Sequence, residues 1–194
     1  MTRTRFLLAL PMLLAVLFTG ACAGGGTTSS TAGTSATDSH PIGDIPDNQV
    51  YVPYQPADAS FTVQVPEGWA RTDLADGVSF TDKLNTVAVR ELAGRPQPTQ
   101  NTVLGGEMAD IASAGRAVTL GPVDTVSLPA GQAVHGRFAQ DSAPDPVTGR
   151  VVRDDAELYV YWRNGTEVLL TVSGPHGADN VDPWKKISTS FSWR

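Results

Sequence analysis

Glu157-Leu158-Tyr159-Val160-Tyr161-Trp162-Arg163-Asn164-Gly165-Thr166-Glu167-Val168-Leu169-Leu170-Thr171-Val172-Ser173 is the stretch from which the fold is read. Asn-Gly between two runs of β-branched and aromatic residues is the strongest short hairpin signal. A two-residue turn that matches the twist of its strands needs positive φ at both central positions. With Asn164-Gly165 as the turn, Arg163 faces Thr166, Tyr161 faces Val168 and Tyr159 faces Leu170. On the opposite face Val160 meets Leu169 and Leu158 meets Thr171. Both faces carry large apolar or aromatic groups, whereas a sheet with one wet face would alternate apolar and polar residues. The hairpin is therefore central and predicts a layer of helix or irregular chain on each face.

Outward from the hairpin, Asp182-Pro183 reads as an N-cap followed by a proline in the first helical turn. Trp184, Ile187 and Phe191 then form one apolar stripe, with Lys185 and Lys186 turned outward. Upstream, Phe61-Thr62-Val63-Gln64-Val65 alternates as a half-buried strand that Pro66-Glu67-Gly68 ends. Gly77–Phe80 and Thr86–Val89 follow as strands. Leu104, Met108, Ile111 and Gly115 then lie at helical spacing, predicting one helix opened by Asn101 or Thr102 and closed near Gly115. Gly105-Gly106 weakens that helix by about 1 kcal/mol per residue relative to Ala, so packing must hold it. Two more strands are expected around Val118–Leu128 and Gln132–Ala139, joined at Pro129-Ala130-Gly131. A loop rich in Pro and Asp runs from Asp141 to Gly149.

The N-terminus has the order of an export signal: Arg3 and Arg5, an apolar run from Phe6 to Phe18, then small residues up to Cys22. Ala21-Cys22-Ala23 also suits ordinary secretion with cleavage after Ala23. A retained anchor is a third reading, although the run is short and Pro11 interrupts it. Cys22 is the sole cysteine of the chain, so no internal disulfide can form. A lone thiol at the processing junction is best explained by lipidation, and two acyl chains anchor stably where one would be marginal. The expected organisation is a signal peptide over 1–21, a lipidated Cys22 with a Gly/Ser/Thr/Ala tether over 22–49, and a folded domain over 50–194. A tether of about 25 residues of that composition spans roughly 25–30 Å.

The formal charge is −6, and losing Arg3 and Arg5 with a leader that holds no acid takes it to −8. Nucleic-acid binding needs basic clusters, so no nucleic-acid partner is expected. No nucleophile elbow, phosphate loop, His-Glu-x-x-His or dinucleotide fingerprint occurs. The domain has two histidines. His135 reads as a satisfied or edge-strand residue, and His176, in Ser173-Gly174-Pro175-His176-Gly177, as an exposed turn residue. Asp141, Asp145, Asp154, Asp155 and Glu157 have the oxygen chemistry of a hard-cation site but not its loop spacing. A solvated acidic hairpin end accounts for them. Asn164-Gly165-Thr166 fits a glycosylation pattern that the turn already explains. Trp69, Trp162, Trp184 and Trp193 read as core packing. No catalytic residue, metal ligand or cofactor is assigned, and the chain is expected not to be an enzyme.

Phe18-Thr19-Gly20-Ala21-Cys22 resembles the bacterial lipobox, with Thr19 where Leu is commoner. Pro56-Ala57-Asp58-Ala59-Ser60-Phe61-Thr62-Val63-Gln64-Val65-Pro66-Glu67-Gly68-Trp69 is similar to the opening of PsbP-like domains. The ending Asp182-Pro183-Trp184-Lys185-Lys186-Ile187-Ser188-Thr189-Ser190-Phe191-Ser192-Trp193 is similar too. The layout of lipobox, small-residue tether, Pro-x-Gly-Trp opening, mid-chain helix and terminal helix resembles actinobacterial LpqN/LpqT-type lipoproteins of that fold. The resemblance implies an α+β domain, an αβα sandwich around a central antiparallel sheet. It implies binding and accessory roles and carries over no active site. The expectation is a lipid-anchored, non-enzymatic binding or adaptor module on the outer face of the cytoplasmic membrane. Its partner would be an envelope protein. The alternative is a carrier of a small apolar ligand or lipid in a sheet–helix cleft.

Overall fold

The hairpin forms in the register that its turn dictates: Arg163 faces Thr166, Tyr161 faces Val168, and Val160 faces Leu169. Asn164 and Gly165 take φ of 52° and 86°, the pair of positive values the turn requires. The computed structural model describes residues 43–194. Cys22, the 1–21 leader and most of the 22–49 tether lie outside them.

In chain order the described elements are β1 (Tyr51–Tyr54), β2 (Phe61–Pro66), β3 (Ala70–Leu74), β4 (Gly77–Asp82), β5 (Asn85–Ala93), α1 (Gln100–Gly105) and α2 (Glu107–Ala114). They continue with β6 (Arg116–Leu128), β7 (Gly131–Asp141), β8 (Arg153–Arg163), β9 (Thr166–Pro175), α3 (Val181–Thr189) and β10 (Ser192–Trp193). Seven strands form one sheet in the order β3-β4-β5-β9-β8-β7-β6, and β1-β2-β10 form a second. Among the described residues every strand pairing is antiparallel. The β8–β9 hairpin sits at the centre of the large sheet, as two apolar faces demand.

Odd-numbered residues of β8 point to one face, called here the aromatic face. Tyr161, Leu170, Val172, Val87 and Val78 are buried there under Phe61 and Val63 of β2, Ile187 of α3, and Phe191. The even-numbered residues form the helical face. Ala156, Leu158, Val160 and Leu169 pack there with Val134, Phe138, Val103 of α1 and Met108 of α2. The architecture is α+β with a cover on both faces. The cover of the aromatic face is α3 together with the small sheet rather than helix alone.

Four details depart from the sequence reading. The mid-chain helix is two helices, because Gly106 takes φ −109° and ψ −98° and breaks the rise. Its N-cap is Thr99 rather than Asn101 or Thr102, and the side chains of Thr99 and Thr102 cap each other's backbone N–H groups. α3 begins after Asn180 rather than Asp182, and Phe191 lies beyond the end of the helix. The folded region also extends before Val50. Ile45 is buried, its N–H donates to Asn180 Oδ1 at 2.8 Å, and Gly43 C=O accepts from Asn85 Nδ2 at 2.8 Å.

β6 is a 13-residue edge strand with two register shifts against β7. Pro122 lacks an N–H and Ala117 has φ 47°, so the strand offers a broken ladder to any further strand.

Candidate functional site

Tyr159 and Glu157 stand two residues apart on β8, so both face the aromatic side. Their neighbours across β7 are His135 and Arg137, respectively. Tyr159 O–H donates to Glu157 Oε2 at 2.5 Å. The His135 ring lies flat on Tyr159, with centroids 4.5 Å apart and planes 19° apart. Its Nε2 is 3.3 Å from the same Oε2 but makes no well-aligned hydrogen bond and is buried. Burial would raise the Glu157 carboxyl, but the neighbouring His135 and Tyr159 hold it below its ordinary range. Burial, with the Glu157 carboxylate adding to it, pushes Tyr159 well above the usual phenol value. This cluster opens onto a cleft of about 390 Å³ between Trp184 of α3 and strands β6–β8, whose lining includes Arg137, Ala139, Asp155 and Glu157.

The helical face has two further clefts. One of about 320 Å³ runs beneath α2, with Leu92, Ile111, Leu158 and Leu169 as floor and Arg90 and Arg95 at the rim. Arg90 is held by Asp76, and Arg95 bridges Glu107 at 2.5 Å and Glu167 at 3.4 Å. Glu167 is buried, and burial together with the Glu107 charge raises its carboxyl, while Arg95 opposes this. The other cleft, about 340 Å³, lies at the start of α1 and is lined by Gln97, Gln100, Asn101, Gln132 and Trp162. The Trp162 indole N–H donates to Arg95 C=O at 2.8 Å.

The five acids singled out in the sequence do not converge. Asp155 lies 2.8 Å from His176 Nδ1, Asp141 pairs with Arg153 at 3.1 Å, and Asp145 caps its own turn through Val147 and Thr148. Asp154 sits on the helical face with a buried, unpartnered Oδ1. Burial first, and then Asp155 and Asp141, raise it to about 6. Among the described residues no group of three or more His, Cys, Asp or Glu side chains is placed to hold a metal ion. His176 is an exposed turn residue, as read, but has an acid partner. His135 belongs to an interior strand and is buried, not an edge-strand histidine, and its Nε2 is left unsatisfied. Among the described residues no Ser or Thr hydroxyl hydrogen-bonds either ring. The four tryptophans do not share a pocket: Trp184 and Trp162 border different clefts, while Trp69 and Trp193 pack partly buried on the aromatic-face core.

Sequence reasoning missed the Arg137–Glu157 juxtaposition. Nothing in either strand marks it, since an 11-residue connection sets the β7–β8 register.

The chain has the PsbP-like fold. The solution structure of the cyanobacterial PsbP protein CyanoP from Synechocystis sp. PCC 6803 superposes with a TM-score of 0.51 at 15% identity, covering 79% of this chain and 99% of that one. The Ran-binding protein Mog1p of Saccharomyces cerevisiae gives 0.49 at 11% identity over 75% of this chain and 96% of its own. LpqN of Mycobacterium tuberculosis, described as involved in cell envelope biogenesis, gives 0.42 at 13% identity over 75% and 91%. No family model matches the sequence, and no curated protein matches it.

Proposed function

We propose that this chain is a membrane-tethered, non-enzymatic binding module of the cell envelope, of the LpqN/LpqT lipoprotein type, anchored through Cys22. The lipobox-like Phe18–Cys22 run, the small-residue tether and the Pro66-Glu67-Gly68-Trp69 opening support the address and the type. The observation that carries the binding role is the build of the clefts on the large sheet. Each brings apolar side chains together with a few polar ones, which is how ligand sites are made. Co-purification from the native envelope tests this reading: a stoichiometric companion molecule or protein is expected, and recovery of the bare chain under mild extraction would overturn it. The anchor is tested apart. Cys22→Ser should release the domain from the membrane fraction or block its processing, and unchanged membrane association would refute lipidation.

A second reading is a carrier of a small apolar ligand or lipid, favoured by the cleft beneath α2 with its floor of Leu92, Ile111, Leu158 and Leu169. Solvent extraction of the purified chain, followed by mass spectrometry, should then release an apolar compound. Ala114→Trp, which fills that cleft, should abolish its recovery, and recovery undiminished in the variant counts against the carrier.

A further inference from the structure

The cover on the aromatic face stops short. α3 lies over β8, its Ser188 C=O accepting the Tyr161 hydroxyl at 2.7 Å, and Trp184 ends the cover. Past Trp184 that face is open around Arg137, Ala139 and Glu157, and Arg137 and Glu157 stand there as direct register partners. Directly opposed residues in an antiparallel pair have Cβ atoms about 4.5–5.5 Å apart, so a guanidinium and a carboxylate so placed ordinarily join. These two do not. The nearest acid to the Arg137 guanidinium is Asp124 at 3.8 Å, and Arg137 makes no hydrogen bond among the described residues.

Glu157 is turned away from Arg137 because its Oε2 is taken. Tyr159 O–H donates to that oxygen, and the buried His135 ring, stacked on Tyr159, stands beside it. The His135 side chain is only 9% exposed, so it is packed against Tyr159 rather than free in solvent. Oε1 has no partner among the described residues. The cleft of about 390 Å³ therefore holds one anchored carboxylate with a free oxygen and one guanidinium that makes no hydrogen bond and has only a long, exposed ion pair to Asp124. Its apolar wall is made by Trp184 and Ala139. Asp155 also lines the cleft, but both its oxygens are within 3.0 Å of His176 Nδ1.

We infer that this cleft binds a small zwitterion of the α-amino acid type, its ammonium on Glu157, its carboxylate on Arg137 and its apolar side chain against Trp184. The inference rests on the binding-module reading and supplies a ligand class for it. Each partner is charge-assisted, and a planar guanidinium suits a carboxylate with two parallel hydrogen bonds. The positioning residue Tyr159, with the His135 ring stacked on it, holds the carboxylate before the ligand arrives, which lowers the cost of ordering it.

The test is a titration of the full-length chain, followed by the NMR shift of the Trp184 indole N–H. The probes are L-leucine, L-leucinamide (which keeps the ammonium but has no carboxylate), N-acetyl-L-leucine (which keeps only the carboxylate) and glycine. L-leucine should give a saturable shift, and the other three should bind at least tenfold more weakly. Arg137→Gln and Glu157→Gln should each weaken L-leucine at least tenfold, while Glu91→Gln, far from the cleft on β5, leaves it unchanged. Should Glu157→Gln fail to fold, Arg137→Gln decides, because its side chain is 54% exposed and its one ion pair, to Asp124, is long and exposed. Either one-charge derivative binding as well as L-leucine overturns the zwitterion, as does the absence of a saturable shift into the millimolar range. Failure here with a companion still co-purifying removes this inference alone, whereas loss of both removes the binding role.

Discussion

The two faces of the large sheet are both covered, but they are built differently. On the aromatic face Phe191 is stacked between Phe61 at 5.2 Å and Tyr161 at 4.0 Å, with Trp193 edge-on at 5.0 Å. That stack joins β2, β8 and the chain leaving α3, three elements remote in sequence. The helical face is covered by two short helices separated at Gly106, and Val103 and Met108 are their buried residues. On this face one guanidinium serves both Glu107 and Glu167, and Asp154 has a buried oxygen without a partner, as His135 Nε2 is on the other face. Stability therefore belongs mainly to the aromatic face, and the helical cover is the part that opens first.

Phe191→Ala should produce the largest loss, about 3–5 kcal/mol for a buried aromatic, read as a strong fall in the chemical unfolding midpoint. Met108→Ala on the other face should cost about 2 kcal/mol, the low end for such a truncation, since neighbouring clefts let the cover settle into the gap. Equal losses for the two would break the comparison.

Smaller still is a pH effect that separates the faces. Asp154 is raised from 3.8 to about 6, so the folded state holds its proton more tightly than the unfolded chain. Its contribution is complete below the ordinary carboxyl value and is lost as pH rises through about 6. The raised Glu167 works in the same direction. Allowing for solvent screening, Asp154 contributes about 1 kcal/mol. The thermal midpoint should fall between pH 5 and pH 7, and Asp154→Asn should flatten that slope. Glu157 and Asp76, whose carboxyls are lowered, act in the opposite sense at more acidic pH, where their protonation destabilises the fold. A wild-type midpoint that rises from pH 5 to pH 7 would contradict the assignment. The smallest effect belongs to Lys186, whose Nζ lies 4.2 Å from the Tyr51 ring centroid. Lys186→Ala should cost about 0.5–1 kcal/mol, the usual size of an exposed cation–π contact, and a loss rivalling Met108→Ala would mean that the helix is pinned from outside.

What was legible in the sequence was local. Asn164-Gly165 has one good conformation, and that turn carries the register of every residue from Asp154 to Pro175. The alternation of Phe61 to Val65 gave a strand, because period two has no helical counterpart. Helical spacing placed Phe191 on the stripe of Trp184 and Ile187. The helix ends at Thr189, yet the ring still reaches the core by stacking. Asp182 looked like the cap because Pro183 follows it. Asn180 precedes the helix instead, while its side chain serves Gly43, Ile45 and Asn85. Those partners are up to 137 residues distant, so neither that role nor the burial of Ile45 leaves a mark in nearby sequence. The Arg137–Glu157 juxtaposition was hidden for the same reason, since it exists only through pairing across a long loop.

The amide cluster of Asn180, Asn85 and Gly43 has a mechanical meaning. Any pull transmitted from the N-terminal side enters the described domain at Gly43. There it meets two side-chain amides, on β5 and just ahead of α3, and then the N–H of Ile45 held by Asn180. Force along the chain loads these bonds together instead of peeling β1 from β2 one bond at a time. A pull at Gly43 is thus borne by this cluster while the sheet and its clefts keep their shape.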